Sequence, residues 1–104
     1  MIDYQRQAEV LKALAHPTRL KILDAVRGGE VCVKSLEDLT GASQSCVSQH
    51  LSLLRELELV RTRRRGNLIC YSLNDALTES ILNCIHRQSD ARMTELNALE
   101  GGDP

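Results

Sequence analysis

The sequence predicts a mainly α-helical domain with one small β-hairpin, its elements in the order α-α-α-α-β-β-α. Three observations carry this reading. Apolar residues recur at spacings of three and four through most of the chain. Between residues 59 and 73 that period gives way to alternation about a Gly66-Asn67 pair. Residues that start and stop helices stand at the joints between periodic segments. At 104 residues the chain, 1–104, is read as a single domain, since domains run roughly 100–200 residues. A second lobe, and a large active site enclosed between lobes, is excluded on length.

Asp3 caps a first helix that runs to about Ala15, with Tyr4, Ala8, Leu11 and Ala15 on one face. His16-Pro17 breaks it. Pro17 suits the first turn of a second helix, where its missing N–H costs nothing, and His16 is read as a boundary residue rather than a ligand. Leu20, Ile22, Leu23 and Val26 form the second buried stripe, ended by Gly28-Gly29. Ser35, with Asp38 three residues on, opens a short third helix with Leu36 and Leu39 inward, and Gly41 stops it. Ser43 caps a fourth helix over 44–57 with Val47, Leu51, Leu54 and Leu57 inside. The hairpin follows, its return strand placing Ile69, Tyr71 and Leu73 on one face and Cys70 on the other. Asn74 or Asp75 caps a last helix to about Arg92 or Leu99, with Leu77, Ile81, Cys84, Ile85 and Gln88 in one stripe. Residues 100–104 are expected to be a frayed tail.

Composition narrows the function. With 42% apolar and 26% charged residues the chain is globular rather than disordered. Tyr4 and Tyr71 are its only aromatic rings besides histidine, which argues against a single-strand binder built on base-stacking platforms. No apolar run approaches the roughly 18 residues of a membrane span. The first residues, Met1-Ile2-Asp3-Tyr4-Gln5, do not read as a secretory signal. The expectation is a cytoplasmic protein with no membrane partner. Its four cysteines, at 32, 46, 70 and 84 with no CxxC, are then free, metal-binding or redox-active. No spacing sets a Cys beside a His and an orienting acid, and no Gly-rich phosphate loop is present, so the chain is not read as an enzyme.

The net charge of −1 predicts no anionic partner, but its distribution does. Residues 55–74 carry five Arg and two Glu, whereas residues 75–104 carry two Arg and six acids. Such a basic spot marks a local phosphate contact. A short helix, a Gly-containing turn and a longer helix make a helix-turn-helix. With a basic hairpin behind it, the pattern is a winged helix. Its second helix fits the major groove and offers polar side chains to base edges. Here those are Ser43, Gln44, Ser45, Ser48, Gln49 and His50. Arg63, Arg64 and Arg65 at the hairpin reach phosphate or the neighbouring minor groove.

Five segments together resemble the ArsR/SmtB family of metal-responsive repressors. They are Leu14-Ala15-His16-Pro17-Thr18-Arg19-Leu20-Lys21-Ile22-Leu23, Ser48-Gln49-His50-Leu51-Ser52-Leu53-Leu54-Arg55, Leu59-Val60, Arg65-Gly66 and Tyr71-Ser72-Leu73. They stand in the family's order and spacing over about residues 8–85. The resemblance implies a winged-helix homodimer, joined through its first and last helices, that represses transcription and leaves DNA when an inducer binds. Double-stranded DNA with a palindromic operator is the implied partner.

The sensor is less legible. Many members similar to the arsenic repressor carry Cys-Val-Cys after the second helix. Here Cys32 matches the first thiol and Lys34 stands in place of the second. Other members bind zinc on the last helices through Asp-x-His and a later His. Here Asp75 is followed by Leu77 rather than a His, and Gln88 and Ser89 are poor partners for His86. Cys32, just ahead of a helix start where the helix dipole favours a thiolate, and Cys84, on the last helix, are the candidate sensor thiols. Cys84 is weighed against a small buried core residue, and Cys46 and Cys70 are read as incidental. The broken metal motifs tilt the reading to an inducer that acts on thiols by oxidation, persulfidation or electrophilic addition. The alternative is a soft metal or metalloid ion (arsenite, zinc or cadmium), held as a cofactor by cysteines that include Cys32. A remote alternative is a winged helix turned to protein contact.

Overall fold

The structure, a computed structural model, describes residues 1–101, with side chains to residue 95. Five helices and a three-stranded antiparallel sheet form it: α1 (Tyr4–Leu14), α2 (Pro17–Arg27), β1 (Val31–Cys32), α3 (Val33–Thr40), α4 (Gln44–Glu56), β2 (Val60–Arg65), β3 (Leu68–Leu73) and α5 (Ala76–Gly101). Sheet order is β1-β3-β2, so the expected hairpin has gained a third strand. The expected winged helix-turn-helix is otherwise the architecture found.

Helix starts follow the caps. The Asp3 carboxylate accepts the Arg6 N–H at 3.0 Å. Pro17 stands in the first turn of α2, whose N-cap is His16; Nδ1 of that ring accepts the Thr18 N–H at 3.1 Å. Ser43 Oγ accepts the Cys46 N–H at 3.2 Å and opens α4. Asp75 accepts both the Thr78 N–H and its hydroxyl, at 2.9 and 2.7 Å. That is how Thr78 is buried without a stranded polar group. The third helix departs from expectation. It begins at Val33 with Cys32 as N-cap, and no side chain caps it. Its inward stripe is therefore Val33, Leu36 and Thr40, and Leu39 falls on the flank, 62% exposed.

The ends of α3 and α4 use left-handed residues. Gly41, at φ +71°, closes α3 and starts the three-residue turn into α4. α4 stops without a glycine. Glu58 takes φ +62° while the Leu59 N–H bonds to Leu54 O and the Glu58 N–H to Arg55 O. This is the paired 6→1 and 5→2 pattern of a Schellman ending. It turns the chain directly into β2.

The core gathers Val10, Ala13 and Leu14 of α1, Ile22, Leu23 and Val26 of α2, Leu36, Val47, Leu51 and Leu54, with Leu59, Val60 and Leu82 closing it. Two predicted stripes lie outside it. On α1 the buried residues are Val10, Ala13 and Leu14, while Tyr4 and Leu11 are exposed. On α5, Leu82 and Thr78 are buried, Ile81 is half-buried, and Leu77, Cys84 and Ile85 are exposed. Each helix has two apolar faces, and the protomer's own core takes only one. Cys84, weighed as a core residue, stands on the outer face. α5 also runs past its expected end to Gly101. Of the tail expected at 100–104, residues 102–104 lie outside the described residues.

Candidate functional site

α4 is anchored by Val47, Leu51 and Leu54, all fully buried. Gln44, Ser45, Ser48 and Gln49 then share the opposite, exposed side. These four amides and hydroxyls supply both donors and acceptors to whatever faces them. Ser43 is exposed at the helix entrance, its Oγ spent on the cap.

His50 is placed apart from this set. Its ring lies 4.7 Å from that of His16, and its Nδ1 is 3.4 Å from Arg19 Nη1. Arg19 in turn donates through Nε to Ala13 O at 2.6 Å. The cluster fastens α4 to the α1–α2 junction. Burial first, then the positive fields of His16 and Arg19, hold the His50 imidazolium below its ordinary pKa of 6.5. A histidine with a lowered folded pKa is protonated first in the unfolded chain. The stability it contributes is therefore complete above pH 6.5 and is lost as pH falls through the folded value. Urea midpoints measured stepwise from above 6.5 downward should fall less for His50→Gln than for the wild type. Parallel curves for the two would show that His50 is not the linked group.

In the wing, the register from the Gly66-Asn67 turn pairs Arg65 with Leu68, Arg64 with Ile69, Arg63 with Cys70 and Arg61 with Ser72. Residues directly opposite share a face. Arg61, Arg63 and Arg65 therefore stand on one side of the sheet and Arg64 on the other. Arg61 Nε donates to Ser72 Oγ at 3.3 Å, and Arg65 is ion-paired with Glu30. Arg63 and Arg64 are exposed and make no side-chain hydrogen bond or ion pair among the described residues. A cleft of about 340 Å³ on the wing is lined by Glu30, Arg61, Thr62, Arg63 and Ser72.

The thiols are arranged otherwise than expected. Cys32 is joined in a disulfide to Cys70, its direct partner in the β1–β3 ladder, with the Cα atoms 3.9 Å apart. Cys70, read as incidental and outward, is 1% exposed. It lies on the face away from Tyr71 and the core, but Cys32 covers it there. Cys84 is not brought to Cys32. It is exposed on α5, where its Sγ accepts from Arg87 Nη2 at 3.1 Å. Among the described residues no group of three or more His, Cys, Asp or Glu could hold a metal ion, and no helix is long and apolar enough to cross a membrane. Sequence reasoning missed Arg19, Glu30 and Cys70. Counting outward from the Gly66-Asn67 turn would have set Cys70 opposite Arg63. Nothing in the two-residue β1 segment announced a third strand.

A helix-turn-helix whose second helix carries an exposed polar face, followed by an arginine-bearing wing, defines a winged helix-turn-helix DNA-binding regulator. Residues 16–62 match the family described as bacterial regulatory protein, arsR family. The transcriptional repressor SdpR of Bacillus subtilis (strain 168) is 35% identical over 74 residues, covering 71% of this chain and 82% of that protein. The structure of reduced HlyU from Vibrio cholerae N16961 superposes with a TM-score of 0.77 at 33% identity, over 81% of this chain and 88% of that one. The homodimeric winged helix-turn-helix DNA-binding domain of Mb0332 from Mycobacterium bovis gives 0.75 at 28% identity, over 88% and 84%. The chain belongs to the ArsR family of DNA-binding transcriptional repressors.

Proposed function

We propose that this chain works as a homodimer that holds a palindromic operator through α4 and the wing, and releases it when an inducer acts on cysteine thiols. The observation that carries the DNA half is the exposed polar face of α4, Gln44, Ser45, Ser48 and Gln49, with Arg63 and Arg64 standing on the wing behind it. The exposed apolar faces of α1 and α5 support the dimer, as does the homodimeric state of the Mb0332 domain. The thiol half is supported by the adjacency of Cys32 and Cys70, two sulfurs that one reagent can join. Two-fold symmetry sets the two α4 helices about one DNA turn apart.

The test is fluorescence anisotropy of the reduced, metal-free protein on a duplex from its own promoter, and on random duplex. Affinity should fall steeply with salt, roughly 10³–10⁵-fold between 50 and 200 mM for six to ten phosphate contacts. Gln49→Ala should cost about 1–3 kcal/mol at a single base pair. Arg64→Ala should weaken all sequences alike and make the salt slope shallower by about one. Equal losses on operator and random DNA for both variants would sink the assignment of α4 as the reading helix. Added peroxide, tetrasulfide, arsenite and zinc then separate the inducers. Release reversed by reductant supports the thiol reading. Release reversed only by a chelator would replace it with a metal bound by cysteines. A chain with no DNA affinity at any salt would be a protein-interaction module.

A further inference from the structure

We infer that Cys32 and Cys70 form a dithiol site for a two-electron oxidant, and that their disulfide weakens DNA binding through the wing rather than through the dimer face. This rests on the DNA-binding reading above and names the site of its regulation.

The two cysteines occupy unusual places for a pair so far apart in sequence. Cys32 is the N-cap of α3, so it is where the helix-turn-helix begins. Cys70 is in the centre strand of the sheet, directly opposite Arg63 on β2. Cys32, Cys70 and Arg63 thus form one row across three strands, on one face. A bond between the sulfurs ties the reading unit to the strand that backs the wing arginines. The base of the wing is already seated on the helices, through Val60 in the core and Tyr71 and Leu73 packed against it, but at the β1 edge the other ties are few. β1 contributes only Val31 and Cys32 to the ladder, and the Glu30–Arg65 ion pair is largely exposed on its arginine side. With the bond closed, the wing is held at one angle to α3 and α4. With it open, the two-residue ladder lets the wing settle on phosphate while α4 sits in the groove. Neither remaining cysteine is placed to do this. Cys46 is half-buried in α4 and Cys84 is exposed on α5.

The chemistry balances with a hydroperoxide. The Cys32 thiolate, on the half-buried residue of the pair where Cys70 is buried, attacks the peroxide oxygen. The O–O bond breaks, Cys32 becomes a sulfenic acid, and the alkoxide takes up the proton that Cys32 gave. The Cys70 sulfur then displaces hydroxide from Cys32, which leaves as water with the Cys70 proton. Two thiols and one hydroperoxide give one disulfide, one alcohol and one water.

The experiment compares dithiothreitol-reduced and hydrogen peroxide-oxidised protein on operator and random duplex across a salt series, with peptide mapping under non-reducing conditions. Oxidised wild type should carry the Cys32–Cys70 link, bind operator at least tenfold more weakly and show a shallower salt slope on both duplexes. Reduced Cys70→Ser and Cys70→Ala should bind as reduced wild type does and lose the response to peroxide, whereas Cys84→Ser should keep it. A response that persists in both Cys70 variants, or vanishes in Cys84→Ser, overturns the inference and leaves a thiol repressor acting elsewhere. A mapped Cys32–Cys70 link with unchanged affinity, or an unchanged salt slope, removes the wing from the account. Absence of operator binding by the reduced protein would fall on the DNA-binding reading itself.

Discussion

Leu51→Ala should lower the free energy of unfolding by about 2–5 kcal/mol. Leu51 is 1% exposed. It shares its cluster with Ile22, Leu23, Leu36, Leu54 and Leu59, each fully buried. These are branched aliphatic side chains already in contact with other elements, so they cannot collapse into the space a truncated leucine leaves. The cost should therefore lie toward the upper part of that range, transfer and cavity together. Leu51 also seats the face of α4 opposite Gln44, Ser48 and Gln49, so DNA affinity should fall with stability. Leu53→Ala is the control. Leu53 is on the same helix but 36% exposed, and a surface change of that kind is worth within about 0.5 kcal/mol. Urea titrations of the two variants should separate clearly. Coincident curves would mean that Leu51 does not sit in the core beneath α4.

Ile85→Asp should split the homodimer. Ile85 is 43% exposed in the protomer, and Leu77 and Cys84 accompany it on the outer face of α5. In the proposed dimer this face is covered by a partner. A carboxylate there would be left without a cation, and an uncompensated buried charge costs about 3–5 kcal/mol. Two-fold symmetry places the change on both protomers. The dissociation constant should rise by at least about two orders of magnitude. Sedimentation velocity at micromolar protein should then show monomer, and operator affinity should collapse because two half-sites are no longer held together. Helix content measured by circular dichroism should persist. A variant that remains dimeric would move the interface off α5.

Most of the fold was legible because its signals are local. Asp3, Pro17, Ser43 and Asp75 mark helix starts by chemistry that acts within three residues, and Gly41 marks a stop by its freedom at positive φ. Where a stop was made without glycine, at Glu58, the chain gave no warning. The Schellman bonds of Leu59 and Glu58 complete it, and they are visible only in space. α3 illustrates a second limit. Ser35 and Asp38 looked like a capping pair, yet the helix starts two residues earlier at Val33, because β1 has already delivered Cys32 in extended form. Leu39 then turns outward.

The apolar periodicities of α1 and α5 identified real faces but could not say what covers them. A stripe such as Leu77, Ile81 and Ile85 has the same spacing whether it meets its own core or a second copy of the chain. The core claimed Leu82 and Thr78 instead. The candidate sensor thiols show the limit most plainly. Cys32 and Cys84 were chosen from helix position, a local property. Cys70 became the partner of Cys32 through a pairing across 38 residues. By itself the sequence determined the helical elements, the turn, the basic hairpin and the polar side of α4. These follow from period, capping and charge, which act over a few residues. Tertiary structure alone decided that a third strand forms, that Cys32 meets Cys70, that Arg65 is held by Glu30, and that His50 packs against His16 and Arg19. Each of these joins residues distant along the chain, and only the packing of the core brings them within reach.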